Sequence, residues 1–269
     1  MDWKHLPIVI CVRDRLSDLV AQTERLTAMG YDNLLLLDNH STYPPLVEWL
    51  ETCPFKVQRL KSNIGSRAPW VADVPERAEW WVYTDPDVVP LKECPDDFVE
   101  HLYFILQAHN RYAKAGLGLY WADVTGKFRH RALEASFKAW ERWVGDAYVA
   151  PIETTLALYR PGAPFTFDAL RSPYPYEARH LPWYRAASPT EEDVYYLQRA
   201  KVARFDQQGN REGGSDWAGW YADREPQPAR GLPHTHQHGD HAHHHDHLHD
   251  PLTPHDHGFP EPCGGVDDF

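Results

Sequence analysis

Short apolar, β-branched runs alternate with helical patterns along the first third of the chain, and this alternation constrains the fold more than any other feature. Apolar residues recur at helical spacing over 16–29, where Gly30 ends the pattern. Strands and helices joined by short links predict a mostly parallel sheet with helices on both faces, which is an α/β fold. The four strand-like runs lie at 7–12, 33–39, 55–60 and 79–84.

The later segments predict more elements of the same kind. The segment 171–184 is the exception, because it is aromatic, basic and rich in proline. Since proline disfavours a long helix or a central strand, we expect an ordered loop there that closes over a ligand as a lid. The other expected elements are helices at 44–51, 96–110, 131–144 and 191–200, a loop with a short helix at 62–70, a strand at 115–121, and one or two strands within 148–160.

The composition changes near residue 225. Most of the chain's 17 histidines lie beyond that point, with Asp, Gly and Pro interspersed and without an apolar period. Such a segment cannot bury a core. We therefore predict one folded domain over 1–224 and a disordered, acidic, His-rich tail over 225–269. Neutral imidazole is a good ligand for Zn²⁺ or Ni²⁺, so weak metal binding by this tail is one expectation.

Charge and cysteine usage narrow the class of protein. The formal net charge is −12, so the chain lacks the basic surface of a generic nucleic-acid binder. The sequence contains no 18-residue apolar stretch, and its first residues lack a secretory hydrophobic region. The four cysteines form no CxxC pair, which favours free thiols in a reducing compartment. We expect a cytoplasmic protein with no transmembrane segment and no nucleic-acid partner.

Polar side chains follow each of the four predicted strands. In open α/β sheets, ligands bind beyond the carboxyl ends of the strands. Residues of these types at four successive strand ends favour one shared cleft. The residues are Arg13 after the first strand, Asp38 and Asn39 after the second, Asn63 and Arg67 after the third, and Asp85 and Asp87 after the fourth.

Asp85-Pro86-Asp87 is the most specific of these groups. Two carboxylates one residue apart repel each other unless a cation lies between them. At the end of a strand both can reach the same hard divalent ion, and Mg²⁺ or Mn²⁺ prefers carboxylate and phosphate oxygens together. The pair therefore predicts a metal that bridges to a diphosphate.

Several motifs in this order resemble the GT-A glycosyltransferases, in particular the family 2-like group. "PIVICVRDR", "LLLLDNHST", "SNIGSRAPW" and "YTDPDVVP" are similar to that family's successive strand-and-loop segments, and the resemblance covers roughly residues 6–200. It implies a GT-A three-layer sandwich and a hexosyltransferase-like enzyme. It also implies a nucleotide-diphosphate sugar donor with Mn²⁺ or Mg²⁺, and an acceptor that is a glycan, a lipid, a small molecule or a protein. The nucleotide-sugar-binding residues would be Arg13, Asp38, Asn39, Asn63, Arg67, Asp85 and Arg179.

The second half of the chain departs from the family pattern. The usual Glu-Asp pair is absent, so Glu153 and Asp146 are the candidates for the catalytic base that an inverting mechanism requires. Several enzymes of the family add a late histidine to the metal. His180, beside the rigid "LPWY" segment, would play that part together with Asp85 and Asp87.

Two other functions compete with this interpretation. The Asp-x-Asp pair also fits a haloacid-dehalogenase-type phosphatase, with Asp85 as nucleophile and Asp87 as general acid. That family carries the motif on its first strand, however, and needs a later lysine and a further aspartate pair. The other alternative is a non-catalytic metal-binding protein that acts through its His-rich tail.

Overall fold

In the computed structural model, the chain consists of two units, Met1–Asp223 and Arg224–Phe269, each held together by its own backbone contacts. The described residues are 1–125, 142–185 and 189–199, together with the backbone of the strands at 201–205, 211–216, 234–238 and 241–245.

The first unit alternates strands with helices, and its early elements lie where the apolar pattern predicts them. All five residues of each of the first two strands are buried, as expected for strands covered on both faces. The elements to residue 108 are β1 (Ile8–Val12), α1 (Leu16–Ala28), β2 (Leu34–Asp38), α2 (Pro44–Thr52), β3 (Lys56–Arg59), α3 (Ala68–Val71), β4 (Trp81–Thr84), β5 (Val88–Pro90) and α4 (Phe98–Ala108).

The remaining elements are mostly strands. They are β6 (Lys114–Leu119), β7 (Trp143–Val144), β8 (Ala147–Val149), β9 (Ala157–Tyr159), β10 (Leu170–His180), α5 (Glu191–Arg199), β11 (Lys201–Phe205) and β12 (Arg211–Asp216). None of the helices in the described ranges combines the length and apolarity needed to cross a membrane.

Gly30 ends α1 with a backbone conformation that favours glycine, at φ +87°. The amide nitrogens of Met29, Gly30 and Tyr31 turn back onto the carbonyls of the last helical turn. These bonds satisfy acceptors that would otherwise be left open at the helix end. The turn directs the chain into β2 beside β1.

One sheet forms the centre of the first unit, with strand order β3-β2-β1-β4-β9-β6-β10-β8-β7 and β5 paired to β10. Neighbouring strands in the series β3-β2-β1-β4 pair in parallel, and so do β6 and β10. Strands β9, β8 and β5 run in the opposite direction. The sheet is therefore mixed but mostly parallel, and the predicted α/β class is confirmed.

The two faces of the sheet bury different cores. One face packs against α1, α2 and α4 through aliphatic residues such as Ile10, Leu36 and Leu102. The other face is aromatic, and α3 covers it with Trp70, whose ring centroid lies 5.4–5.5 Å from those of Trp81 and Tyr83. This second core fixes the loop that follows β3 against the end of β4.

The expected lid over 171–184 is wrong, because most of that segment is strand β10, paired inside the sheet between β6 and β8. Ser172 pairs with Leu117 and Glu177 pairs with Gly118, so the register shifts between them. Pro173 and Pro175 lie in this irregularity, where a missing amide donor breaks no ladder bond. The prolines interrupt the strand without excluding it.

Two other expectations fall partly outside the described residues. Most of the predicted helix over 131–144 lies outside the described residues, but the described end of that segment forms β7, which pairs with β8. In the second unit, the segment expected to be disordered contains two antiparallel strands, β13 (His234–His238) and β14 (His241–His245). The boundary between a folded domain over 1–224 and a tail stays a prediction.

Candidate functional site

The backbone of the aspartate pair is held from two sides at the end of β4. The amide of Asp85 donates to the carbonyl of Thr154 at 2.9 Å, and the Thr154 hydroxyl donates to the Asp85 carboxylate. From α1, the buried Gln22 amide donates to the carbonyls of Asp85 at 2.8 Å and Val88 at 2.5 Å. These hydrogen bonds therefore fix the position of the backbone that carries the aspartate pair.

His180 reaches the pair through strand pairing. At the end of β10 it lies opposite Val88 of β5, and the amide of Leu181 donates to the Asp87 carbonyl at 2.8 Å. The His180 Nε2 and Asp87 Oδ2 atoms are 3.6 Å apart, and the two side chains are 24% and 21% exposed. The ring of Trp183 lies 5.0 Å away and orients the imidazole. Both groups remain accessible to an incoming ion.

The two carboxyl groups differ in their electrostatics. Burial, and then the charge of Asp87, raise the pKa of Asp85 well above its ordinary value. Burial also acts to raise the pKa of Asp87, but His180, Arg15 and Arg185 together outweigh it and hold that pKa below its ordinary value. The surroundings therefore favour the ionised form of Asp87 more than that of Asp85, and a divalent cation beside both groups would favour ionisation of both.

A diphosphate-bridged ion fits these residues better than an ion enclosed by protein alone. Within the described ranges, no group of three or more His, Cys, Asp or Glu side chains is placed to hold a metal by itself. Mg²⁺ in nucleotide enzymes is characteristically bound by one or two carboxylates and by substrate phosphates. Asp87 with His180, and Asp85 two residues before Asp87, are the candidates for such a partial donor set.

Glu153 lies beside the pair, next to Thr154. It is exposed, and its Oε1 accepts a hydrogen bond from the Ser66 hydroxyl at 3.0 Å, which joins it to the loop after β3. Its charge is one of the causes that raise the pKa of Asp85. The structure thus brings one predicted catalytic residue to the aspartate pair.

Asp146, the other predicted catalytic residue, lies elsewhere. It is exposed in the turn between β7 and β8, and its charge acts on His101 of α4. The adjacent Gly145 lies against the ring of His109, also at α4. These contacts connect Asp146 to α4 and not to the aspartate pair.

The loops after β1, β2 and β3 form a second group of predicted residues. Asn39 joins two of them, because its side chain accepts from the amide of Ile64 at 2.8 Å and donates to the carbonyl of Gly65 at 3.2 Å. Arg13 donates to the Asn39 carbonyl at 3.2 Å. Asp38 accepts from the amide of Ser41 at 2.8 Å. Asn39 and Arg13 are therefore bound to backbone groups.

Cys11 lies between the two groups. Burial, followed by the charges of Asp85 and then Asp38, raises the pKa of the Cys11 thiol to about 12. Because β1 pairs in parallel with both β2 and β4, Asp38 and Asp85 lie at the same carboxyl edge of the sheet. A shared cleft over this edge stays a prediction.

The other predicted phosphate or nucleotide ligands have local partners. Asn63 accepts from the amide of Gly65 at 3.0 Å. The Arg67 guanidinium lies 5.0 Å from the ring centroid of Phe165. Arg179 lies on β10, the strand that carries His180, and forms an ion pair with Asp123. Recruitment of Arg179 to a phosphate would require it to exchange that partner.

An ion-pair cluster near Asp87 was not predicted from the sequence. Arg15 and Arg185 both contact Asp193 of α5 at 2.6 Å, and Arg185 also pairs with Asp18 of α1. Two arginines beside an acidic pair are suitable partners for phosphate oxygens. Local sequence did not indicate the cluster, since Arg15 lies 178 residues from Asp193 and Arg185 lies 167 residues from Asp18.

The phosphatase alternative gains nothing from the geometry. Asp85 follows the fourth strand in chain order, whereas that family carries the motif on its first strand. The buried Lys114 donates to the carbonyl of Ile152 at 2.6 Å and the hydroxyl of Tyr159 at 2.8 Å, so its bonds are to those groups and not to the aspartates.

Glu177 on β10 gives the fold a pH-dependent element. Burial raises its pKa to about 7, and its Cγ packs where Gly118 lacks a side chain. A carboxyl group whose pKa is raised by folding stabilises the fold fully below its unfolded pKa, and that contribution is lost as pH rises through the folded pKa. Glu177→Gln should therefore raise the free energy of unfolding relative to wild type at pH 8 but not at pH 4.

Urea unfolding at the two pH values measures this difference. Glu48→Gln, at an exposed position on α2, is the matched control and should show no pH-dependent gain. A Glu177→Gln variant whose difference from wild type is the same at both pH values would contradict the assignment.

Comparison with known proteins identifies no family for this chain. No protein-family model matches it, and no curated protein matches it. Among solved structures, one match is the crystal structure of GalNAc-T7 with UDP, GalNAc and Mn²⁺, at 12% sequence identity and a TM-score of 0.39. That match covers 71% of this chain and 47% of the other, so the chain spans about half the length of GalNAc-T7 as crystallised.

Proposed function

We propose that the chain is a metal-dependent glycosyltransferase of the GT-A type that transfers a sugar from a nucleotide-diphosphate donor to an acceptor hydroxyl. The observation that carries the proposal is the contact of Asp87 with His180 at 3.6 Å, two residues after Asp85 at the end of β4. The opposite pKa directions of the two aspartates support a site that is completed by a cation.

In this proposal, Asp87 and His180 hold a Mn²⁺ or Mg²⁺ ion together with the donor diphosphate, and Asp85 completes the set once it is ionised. The ion would neutralise charge on the leaving nucleotide diphosphate. His180 favours Mn²⁺ over Mg²⁺, because imidazole is a softer ligand than carboxylate or water.

The nucleotide would lie along the loops that follow β1 and β2. Asp38 has one carboxylate oxygen bound to the Ser41 amide, and its other oxygen is 3.8 Å from Arg59 Nε. A carboxylate in this position suits the hydroxyl groups of a ribose or the donor groups of a base. Asn39 and Arg13 would shape the pocket through the backbone bonds that they already make.

Glu153 is the candidate base on the acceptor side. Its exposed carboxylate can accept the proton of an acceptor hydroxyl, and the bond from Ser66 fixes its orientation. Whether the acceptor is a glycan, a lipid, a small molecule or a protein depends on surfaces beyond these residues.

A calorimetric panel of nucleotides and nucleotide sugars tests the proposal. In the presence of Mn²⁺, at least one nucleotide diphosphate should bind and should raise the melting temperature of the chain. A ligand at 100 times its Kd adds about 2.7 kcal/mol of stability. Chelation of Mn²⁺ should remove most of the effect. If no uridine, guanosine, adenosine, cytidine or thymidine diphosphate binds with Mn²⁺ present, the proposal is wrong.

A further inference from the structure

Histidine-rich segments flank a two-residue link in the second unit, with a histidine at every other position of each segment. The segment reads HTHQH-GD-HAHHH over 234–245. A Gly-Asp link of two residues between alternating segments is a signal for a tight β-hairpin. The backbone of β13 and β14 forms the antiparallel pair that this signal predicts.

The register of this hairpin places six histidines on one face. Residues that lie directly opposite each other in an antiparallel pair share a face, and so do residues two apart along one strand. The other face holds two cross-strand pairs, Thr235 with His244 and Gln237 with Ala242. The first face holds only histidine pairs: His234 with His245, His236 with His243, and His238 with His241.

We propose that this all-histidine face is a binding site for a divalent transition metal of the Zn²⁺, Ni²⁺ and Cu²⁺ class. Imidazole nitrogen is a preferred ligand for these ions, and Cβ atoms of directly opposite residues lie about 4.5–5.5 Å apart. Two adjacent cross-strand pairs therefore bring four histidine positions together, which is the number of ligands in a closed zinc site.

This site differs in chemistry from the aspartate pair of the first unit. Carboxylates with phosphate oxygens select hard ions such as Mg²⁺ and Mn²⁺, whereas a set of imidazoles does not bind Mg²⁺ appreciably. The inference is therefore independent of the proposed glycosyltransferase function.

Competition against a chromophoric zinc chelator, with the full chain in millimolar Mg²⁺, measures the site. Changing four face positions to glutamine (His236, His238, His241 and His243) should weaken the tightest Zn²⁺ binding by roughly 100-fold, since even changes beyond the ligands cost 10–100-fold. The matched control changes four histidines further along, His247, His249, His255 and His257. Its affinity should stay within about threefold of the wild-type affinity.

A composition-preserving exchange separates register from histidine content. The double variant Ala242→His, His243→Ala keeps the number of histidines but removes the central cross-strand pair. It should weaken Zn²⁺ binding by roughly tenfold or more. Unchanged affinity in this variant, or equal losses in the two four-histidine variants, would show that histidine density alone binds the metal and would overturn the proposal.

Discussion

Asp87→Asn should lower the Mn²⁺-dependent affinity for a nucleotide diphosphate by about two orders of magnitude while the chain stays folded. Asp87 is the member of the aspartate pair whose ionised form is favoured, because His180, Arg15 and Arg185 hold its pKa below the ordinary value. An amide has nearly the same shape but no charge, and loss of a metal ligand costs at least the roughly 10–100-fold that is typical of changes around a metal site. Calorimetric titration of the nucleotide with and without Mn²⁺ measures the effect.

Two companion variants make the result specific. Asp168→Asn removes a carboxylate at an exposed position before β10 and should leave the nucleotide affinity unchanged. Asp85→Asn mimics the protonated form of Asp85 and keeps an oxygen for the Thr154 hydroxyl, so it should retain the wild-type melting temperature. A folded Asp87→Asn variant with undiminished Mn²⁺-dependent affinity would refute the role of Asp87.

The parts of the fold that were predictable depend on local pattern. Strands β1 and β2 are continuous apolar runs, and α1 carries a helical period that ends at a glycine, so their positions follow from neighbouring residues alone. The aspartate pair was identifiable for the same reason, since an acidic motif directly follows an apolar run. The sheet class followed from the order of these elements.

The unpredicted parts depend on residues that are distant in sequence. Strand β10 accommodates its prolines only because β6 shifts register at that point, which no local rule shows. The contact of Arg15 with Asp193 likewise joins α5 to the start of α1 across the length of the domain. Lys114 is completely buried although lysine is usually exposed, because acceptors from other segments surround it.

Lys114→Ala should destabilise the fold by about 3–5 kcal/mol, the largest change in stability expected from a single substitution near the site. The side chain of Lys114 is fully buried, and its Nζ donates to the carbonyl of Ile152 at 2.6 Å and to the hydroxyl of Tyr159 at 2.8 Å. Alanine leaves both the cavity of a long side chain and buried acceptors without a donor. Urea unfolding measures the loss.

Lys114→Met is the matched variant, because methionine fills most of the volume but makes no hydrogen bond. Its loss of stability should be smaller, about 1–3 kcal/mol, and the variant also tests the ionisation of the lysine.

Burial, with a contribution from the charge of Arg171, lowers the pKa of Lys114 well below its ordinary value of 10.5. When folding lowers a pKa, stability rises with pH between the folded and unfolded values and is lost as pH falls through the folded one. The stability difference between wild type and Lys114→Met should therefore grow between pH 7 and pH 10.

The same substitutions connect stability to the site, because Lys114 holds the segment that carries Glu153 and Thr154. Thr154 contacts Asp85 through both its carbonyl and its hydroxyl. If Ile152 loses its buried donor, the segment is free to shift, and Asp85 loses the partner that fixes it. Lys114→Ala should then weaken Mn²⁺-dependent nucleotide binding under conditions where the variant is still fully folded, while Lys114→Met should weaken it less. If both variants bind nucleotide as wild type does despite their lower stability, Lys114 supports the core alone, and the position of Asp85 is set by Gln22 and the sheet.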